Sequence, residues 1–284
     1  MGIALRAVSF TYLPGTPLAR EVLRNVDLEI REGEVTCLLG RTGSGKSTLL
    51  QLAAGLLLPT SGEVLLDGRE VSSGGEGYLA LRREVGLLMQ SPEMQLFAGS
   101  VEEDVAFGLR HLGLSPSEAR ERVFSSLALV GLDPDSYAHL PPLGLSQGEM
   151  RRVALAGVLV RKPRVLLLDE PSSGLDRPSQ EDLRRILLSL KEEGVGILLV
   201  THDWEEVETL ADRVSVLHGG SLFLQGTPEG VLAQVDSLRE AGLYPPPVAE
   251  VFHLLRQGGL DLPRRTGTAR QAAEVILQAL QRSG

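Results

Sequence analysis

The segment Gly40-Arg41-Thr42-Gly43-Ser44-Gly45-Lys46-Ser47-Thr48 has the residue types and spacing to hold a polyphosphate. It fits the pattern G-x-x-x-x-G-K-[ST] and follows the apolar run Val35–Leu39, the strand-then-helix context that this pattern requires. Glycines let the backbone curl so that several N–H groups aim at one anion. A helix starting near Gly45 adds the positive end of its dipole to the same point. Lys46 is expected to reach the β- and γ-phosphates, and the Ser47 hydroxyl to ligate Mg²⁺.

A second constellation is the apolar run Val165–Leu168 ending in Asp169-Glu170. A carboxylate at the tip of a central strand beside a phosphate loop can hold Mg²⁺, commonly through water, and Asp169 suits that role. Glu170, one residue on, is placed to orient and deprotonate a water attacking the γ-phosphate.

Those residues need a scaffold. Alternation of apolar and polar residues in Leu5–Tyr12 and Val22–Ile30 predicts two antiparallel strands joined through Pro14-Gly15 and Pro17. The solidly apolar runs Val35–Leu39, Val165–Leu168 and Gly196–Val200 predict central strands covered on both faces. Helices are expected at Gly45–Ala54, Pro116–Val130, Gln147–Val160, Pro178–Glu193 and Trp204–Ala211. The fold class expected is an α/β P-loop NTPase core with an antiparallel β subdomain. Between Gln90 and Arg161 the pattern turns helical, which reads as an inserted helical subdomain at about 91–161. Beyond Gly226, Pro228, Pro245-Pro246-Pro247 and Pro263 separate short helical pieces of a C-terminal extension, 227–284. Its last helix carries Ala272, Ala273, Ile276, Leu277 and Leu280 on one face.

The chain has 284 residues, 43% of them hydrophobic, and a formal net charge of −9, which argues against a broad basic face for nucleic acid. Cys37 is the single cysteine and lies in an apolar strand, so it reads as a buried, inert thiol. No apolar stretch approaches the roughly 18 residues needed to cross a bilayer. The expected location is therefore the cytoplasm, with any membrane role exercised through a partner.

The order of phosphate loop, Gln90, Leu145-Ser146-Gln147-Gly148-Glu149, Asp169-Glu170, Gly174-Leu175-Asp176 and His202 resembles an ATP-binding cassette (ABC) ATPase over roughly Met1–Gly226. The resemblance implies two cassettes clamped head to tail, with the pentapeptide of each, similar to the family signature L-S-G-G-Q, capping the other's ATP. Ser146, Gly148 and Asp176 would then act in trans on the partner's nucleotide. His202 would contact the γ-phosphate, and Gln90 would sense Mg²⁺ and the attacking water. Tyr12 would stack on adenine, and Gly40, Thr42, Gly43, Ser44, Gly45, Lys46, Ser47 and Thr48 would cradle the phosphates. Lys46, Gln90, Glu170 and His202 form the implied catalytic set, with Ser47, Gln90 and Asp169 about Mg²⁺. The signature departs from the family pattern at Gln147 and at Glu149, which brings a negative charge into the first turn of a helix. The partner site capped by this signature is expected to turn over slowly.

Residues 85–97 and 101–108, Arg151–Leu159, Tyr12–Pro17 and the tail are similar to the ATPases of energy-coupling factor (ECF) importers for vitamins and metal ions. That resemblance implies a second cassette, homo- or heteromeric, an integral membrane scaffold and a substrate-binding membrane subunit. The chain would work peripherally at the cytoplasmic face of the cell membrane. Segment Pro92–Phe97 would line the groove for a scaffold helix; alternatively Met94, Leu96 and Phe97 fill the core of the helical subdomain. Other readings left open are the ATPase of another ABC importer and a soluble cassette ATPase unlinked to transport.

Overall fold

The computed structural model describes residues 2–71, 76–260, 262 and 269–283; Met1 and Pro263 lie outside the described residues. Strands β1 (Gly2–Tyr12) and β2 (Arg20–Arg31) pair antiparallel, and β4 (Ser61–Leu66) and β5 (Arg69–Glu70) complete a four-stranded sheet of order β2-β1-β4-β5. A second sheet holds β3 (Val35–Leu39), β6 (Val85–Leu88), β7 (Val165–Asp169), β8 (Gly196–Val200), β9 (Arg213–His218) and β10 (Ser221–Gly226). Its order is β10-β9-β3-β8-β7-β6, parallel except for the β9–β10 hairpin. The three apolar runs are thus its central strands, and β3, β7 and β8 are buried along their full length.

Their alternate residues feed two cores, because successive side chains on a strand point to opposite faces. Leu38, Leu167, Leu198 and Val200 join a cluster under the antiparallel sheet, with Leu49, Leu50 and Leu52 of helix α1 (Lys46–Ala53). Cys37, Leu39, Leu166, Leu168 and Leu199 join the other cluster, with helices on the opposite face. Helix α2 (Glu76–Glu84) leads into β6.

Between Gln90 and Arg161 every regular element is helical: a 3-10 turn at Pro92–Gln95, then α3 (Val101–Ala106), α4 (Pro116–Leu129), α5 (Pro134–Tyr137) and α6 (Gln147–Leu159), with two further 3-10 turns. Ser115 and Ser146 start α4 and α6 with reciprocal capping boxes to Glu118 and Glu149. The buried Asp104 carboxylate accepts from the Phe97 and Ala98 N–H groups and so folds the preceding segment onto α3. Within it Leu96 is buried, whereas Met94 and Phe97 are exposed and Phe97 stacks edge-on against exposed Phe107.

Helices α7 (Arg177–Glu192) and α8 (Trp204–Leu210) flank β8 in sequence. The tail holds α9 (Pro228–Leu232), α10 (Val235–Glu240), α11 (Pro247–Gln257) and α12 (Ala269–Ser283). Val231, Leu238 and Ala241 belong to the main core, so the first part of the tail packs on the cassette. A separate small core begins with α11, where Phe252, Leu262 and Ala272 meet Val248, Leu255 and Ile276. Leu277 and Leu280 of α12 are exposed, although the helical pattern assigns them to the same face as Ala272 and Ile276. No helix among the described residues is long and apolar enough to cross a membrane.

Candidate nucleotide site

The loop between β3 and α1 folds as its glycines dictate. Gly45 holds φ +109, and a Cβ there would stand 2.8 Å from Leu23 Cδ2, so only glycine fits. At Gly40 a Cβ would meet the Leu217 carbonyl oxygen at 2.5 Å. An open cleft of about 260 Å³ lies over the loop, lined by Tyr12, Thr42, Gly43, Lys46, Gln90 and Glu170 among others.

Lys46 curls back over its own loop and donates from Nζ to the Gly40 (2.7 Å) and Arg41 (3.1 Å) carbonyl oxygens. Burial lowers its pKa, opposed by the nearby charges of Glu170 and Asp169. Ser47 Oγ donates to Asp169 Oδ2 at 2.7 Å. The Asp169 carboxyl lies at the buried end of β7, and burial raises its pKa against the lowering effect of that hydrogen bond. Ser44 Oγ is enclosed and makes no hydrogen bond to the protein.

Glu170 sits one residue past β7 with φ +49, a left-handed conformation that a non-glycine residue adopts only when its surroundings impose it. Here its N–H donates to the Val200 carbonyl at the end of β8. Gln90 Nε2 donates to Glu170 Oε2 at 3.1 Å, and His202 Nδ1 lies 3.7 Å from Glu170 Oε1. Glu170 is thus the hub to which residues after β6 and β8 converge. Tyr12 packs edge-on against Phe10 at 4.8 Å, and its hydroxyl lies 3.1 Å from Thr48 Oγ1, fixing the ring at the cleft mouth.

The three residues expected to act in trans share a different character. Ser146 and Asp176 are exposed N-caps, Ser146 accepting from Glu149 N–H and Asp176 from Ser179 N–H at 3.0 Å. Asp176 has a lowered pKa, chiefly because Ser179 hydrogen-bonds to it. Gly148, in the first turn of α6, faces Leu175. Glu149 accepts from Ser146 Oγ (2.7 Å), Ser146 N–H (2.9 Å) and Tyr137 Oη (2.6 Å). These bonds hold its carboxyl below the usual glutamate range, Ser146 contributing most. Its charge is therefore absorbed within its own capping box and by Tyr137.

The donor set suits a hard divalent cation. Among the described residues no group of three or more His, Cys, Asp or Glu forms a metal site unaided. Ser47, Asp169 and Gln90 bring oxygen donors to the cleft that lines the loop, leaving other positions for phosphate and water, which is the habit of Mg²⁺. Two lining residues escaped the sequence reading. Arg20 opens β2, two residues before the alternation read from Val22, and Arg20 and Val22 both border the cleft. Only the wider strand boundary would have drawn attention to Arg20.

Known proteins resemble this chain in sequence and in fold. The ABC transporter family profile matches residues 23–173. An energy-coupling factor transporter ATP-binding protein EcfA2 from Clostridium perfringens is 40% identical over 282 residues, covering 99% of each chain. Its counterpart from Streptococcus thermophilus is 42% identical over 279 residues, covering 98% of this chain and 99% of the other. Among solved structures, cbiO1 from Clostridium perfringens, described as part of the ABC transporter complex cbiONQ, superposes with a TM-score of 0.73 at 36% identity. That match covers 89% of this chain and 98% of the other. The dimeric ATP-binding cassette MJ0796, in a post-hydrolysis state bound to ADP and Pi, gives 0.70 at 30% identity, covering 80% and 98%. With that cassette architecture and full-length identity of this level, the chain belongs to the ABC transporter family, among the energy-coupling factor transporter ATP-binding proteins.

Proposed function

We propose that this chain is the ATP-hydrolysing, energy-coupling subunit of an ECF-type importer for vitamins or transition-metal ions, acting as one half of a cassette dimer. Its partners are a second cassette, an integral membrane scaffold and a substrate-binding membrane subunit, and it works at the cytoplasmic face of the cell membrane. Residues 1–226 form the cassette, with 91–161 its helical subdomain and 227–284 an extension that supports dimer contacts. The observation that carries the reading is the convergence of Gln90 and His202 on Glu170, beside the Ser47–Asp169 pair and Lys46.

ATP enters with adenine on Tyr12 and its triphosphate against the loop N–H groups of Gly40–Thr48, where the enclosed Ser44 hydroxyl is a further donor. Lys46 then exchanges its two carbonyl acceptors for the β- and γ-phosphates. Ser47, Asp169 and Gln90 would hold Mg²⁺, which when bound supplies neutralisation of the charge developing on the phosphates. Glu170 orients the attacking water and takes its proton, held in position by Gln90 and by its own strained backbone. His202 donates toward the γ-phosphate. The partner's copies of the Ser146 turn, Gly148 and Asp176 would close the other side and exclude water. The groove lined by Leu87, Met89, Phe97, Phe107, Arg82 and Arg161, about 460 Å³, is the docking place for a scaffold helix. Exposure of Phe97 and Phe107 supports that use.

Glu170→Gln tests the reading. The variant should bind MgATP and form stable cassette dimers with turnover reduced at least about a hundredfold. Hydrolysis at the wild-type rate would remove Glu170 from its role. Purification of tagged wild-type chain from solubilised membranes should bring down a second cassette and multi-helix subunits; recovery of the chain alone would favour a soluble ATPase.

A further inference from the structure

The tail touches the edges of the nucleotide site at two points, Trp204 and the Arg41 side chain, neither of which lines the cleft itself. Trp204, two residues past His202 and the first residue of α8, donates its indole N–H to the Tyr244 carbonyl oxygen at 2.7 Å. Gly242 packs directly on the Arg41 side chain of the phosphate loop: a Cβ there would stand 2.3 Å from Arg41 Cδ. Arg41 in turn supplies a carbonyl acceptor to Lys46. One turn, Gly242–Tyr244, therefore spans from the loop that holds the phosphates to the turn that carries His202.

The turn is itself anchored. Ala241 is fully buried in the main core, Leu243 packs against that core, and the Leu243 N–H donates to the Leu238 carbonyl. His202 by contrast is exposed, with its 3.7 Å approach to Glu170 as its side-chain contact. Its position must come from the backbone on either side. Before it, Thr201 donates its hydroxyl to the buried Glu206 and accepts from the Asp203 N–H. After it, Asp203 caps α8 and Trp204 is tied to the tail.

We propose that the Gly242–Tyr244 turn positions His202 through Trp204, so that Trp204 is a positioning residue for hydrolysis at this site and the tail is coupled to the γ-phosphate contact. This inference rests on the reading of His202 as the γ-phosphate contact. It gives the tail a role within its own chain, besides dimer contacts.

A double-mutant cycle on the full-length chain in its assembled complex tests it, with MgATP turnover as the readout. Trp204→Phe keeps the aromatic packing and removes the N–H. It should lower kcat roughly fivefold or more with KM for ATP within about twofold, since a small misplacement costs rate rather than binding. In a His202→Ala background the same change should have no further effect. Equal loss in both backgrounds, or no loss in either, would overturn the proposal. Full turnover by His202→Ala alone would sink the reading of His202 itself, a result distinguishable from the others.

Because Trp204 is the chain's single tryptophan, its fluorescence gives a second readout that keeps the native indole. Gly242→Ala, which forces a Cβ into Arg41 at φ +71, should shift Trp204 emission to the red and lower kcat in parallel. Unchanged emission with unchanged kcat in that variant would count against the coupling.

Discussion

Ser47 and Asp169 lie 122 positions apart, yet the Ser47 hydroxyl donates to Asp169 Oδ2 at 2.7 Å. The pair joins the first turn of α1 to the tip of β7, so one contact brings the phosphate loop and the strand-end carboxylate together. Removing either oxygen should show in metal dependence before anything else. Asp169→Asn is expected to raise the Mg²⁺ concentration for half-maximal ATPase about tenfold, the scale of one lost charge-assisted contact. Titration of MgCl₂ at saturating ATP checks it, and an unchanged half-point would exclude Asp169 from the metal.

Gly45 should resist substitution on two grounds. Its φ of +109 is hostile to any side chain, and a Cβ would press on Leu23 and Val22 of β2. Gly45→Ala is expected to cost about 1–3 kcal/mol of stability by strain. Nucleotide affinity should fall with it, because the displaced loop loses its N–H alignment. Thermal melts with and without MgATP separate the effects: both the melt and the ATP-induced shift should shrink.

How much of this was legible in the sequence depends on how many faces of an element are buried. Strands β3, β7 and β8 were readable because both their faces are covered, which demands unbroken apolar runs. Strand β6 has only four residues at the sheet edge, and β5 only two, too short for any periodic signal. Helix starts were readable to within a residue where Ser115, Ser146 and Asp176 cap them. Beyond the motif residues themselves, the site was not. The Gln90–Glu170 bond and the left-handed Glu170 depend on strand order, which no local pattern encodes. The fold of Lys46 onto the Gly40 and Arg41 carbonyls depends instead on the conformation of its own loop. The absorption of Glu149 was hidden because Tyr137, one of its donors, comes from a different helix.

Tyr12 offers a division of ring from hydroxyl. Tyr12→Phe loses the contact with Thr48 Oγ1 but keeps the ring on Phe10, so KM for ATP should rise less than about threefold, the worth of one modest hydrogen bond. Tyr12→Ala removes the stacking surface, worth roughly 1–3 kcal/mol per base, and KM should rise about tenfold or more. Equal effects from both would assign the role to the hydroxyl instead.

Glu149 makes a pH-dependent prediction. Its carboxyl is held below the usual glutamate range by donors from Ser146 and Tyr137. A depressed acid stabilises the fold above its unfolded pKa, and that contribution is lost as pH falls through the folded value. Glu149→Gln restores the family's residue and retains an acceptor for the Ser146 N–H, but removes the charge from the first turn of α6. At pH 7 it should lower stability by about 0.5 kcal/mol, the usual worth of an acid at a helix start. The difference from wild type should shrink as pH drops below about 4.5 and vanish once Glu149 is protonated in the folded chain. Urea denaturation of both proteins across pH 3.5–7 measures it. A gap that persists unchanged at the acid end would mean that Glu149 acts through packing rather than through its charge.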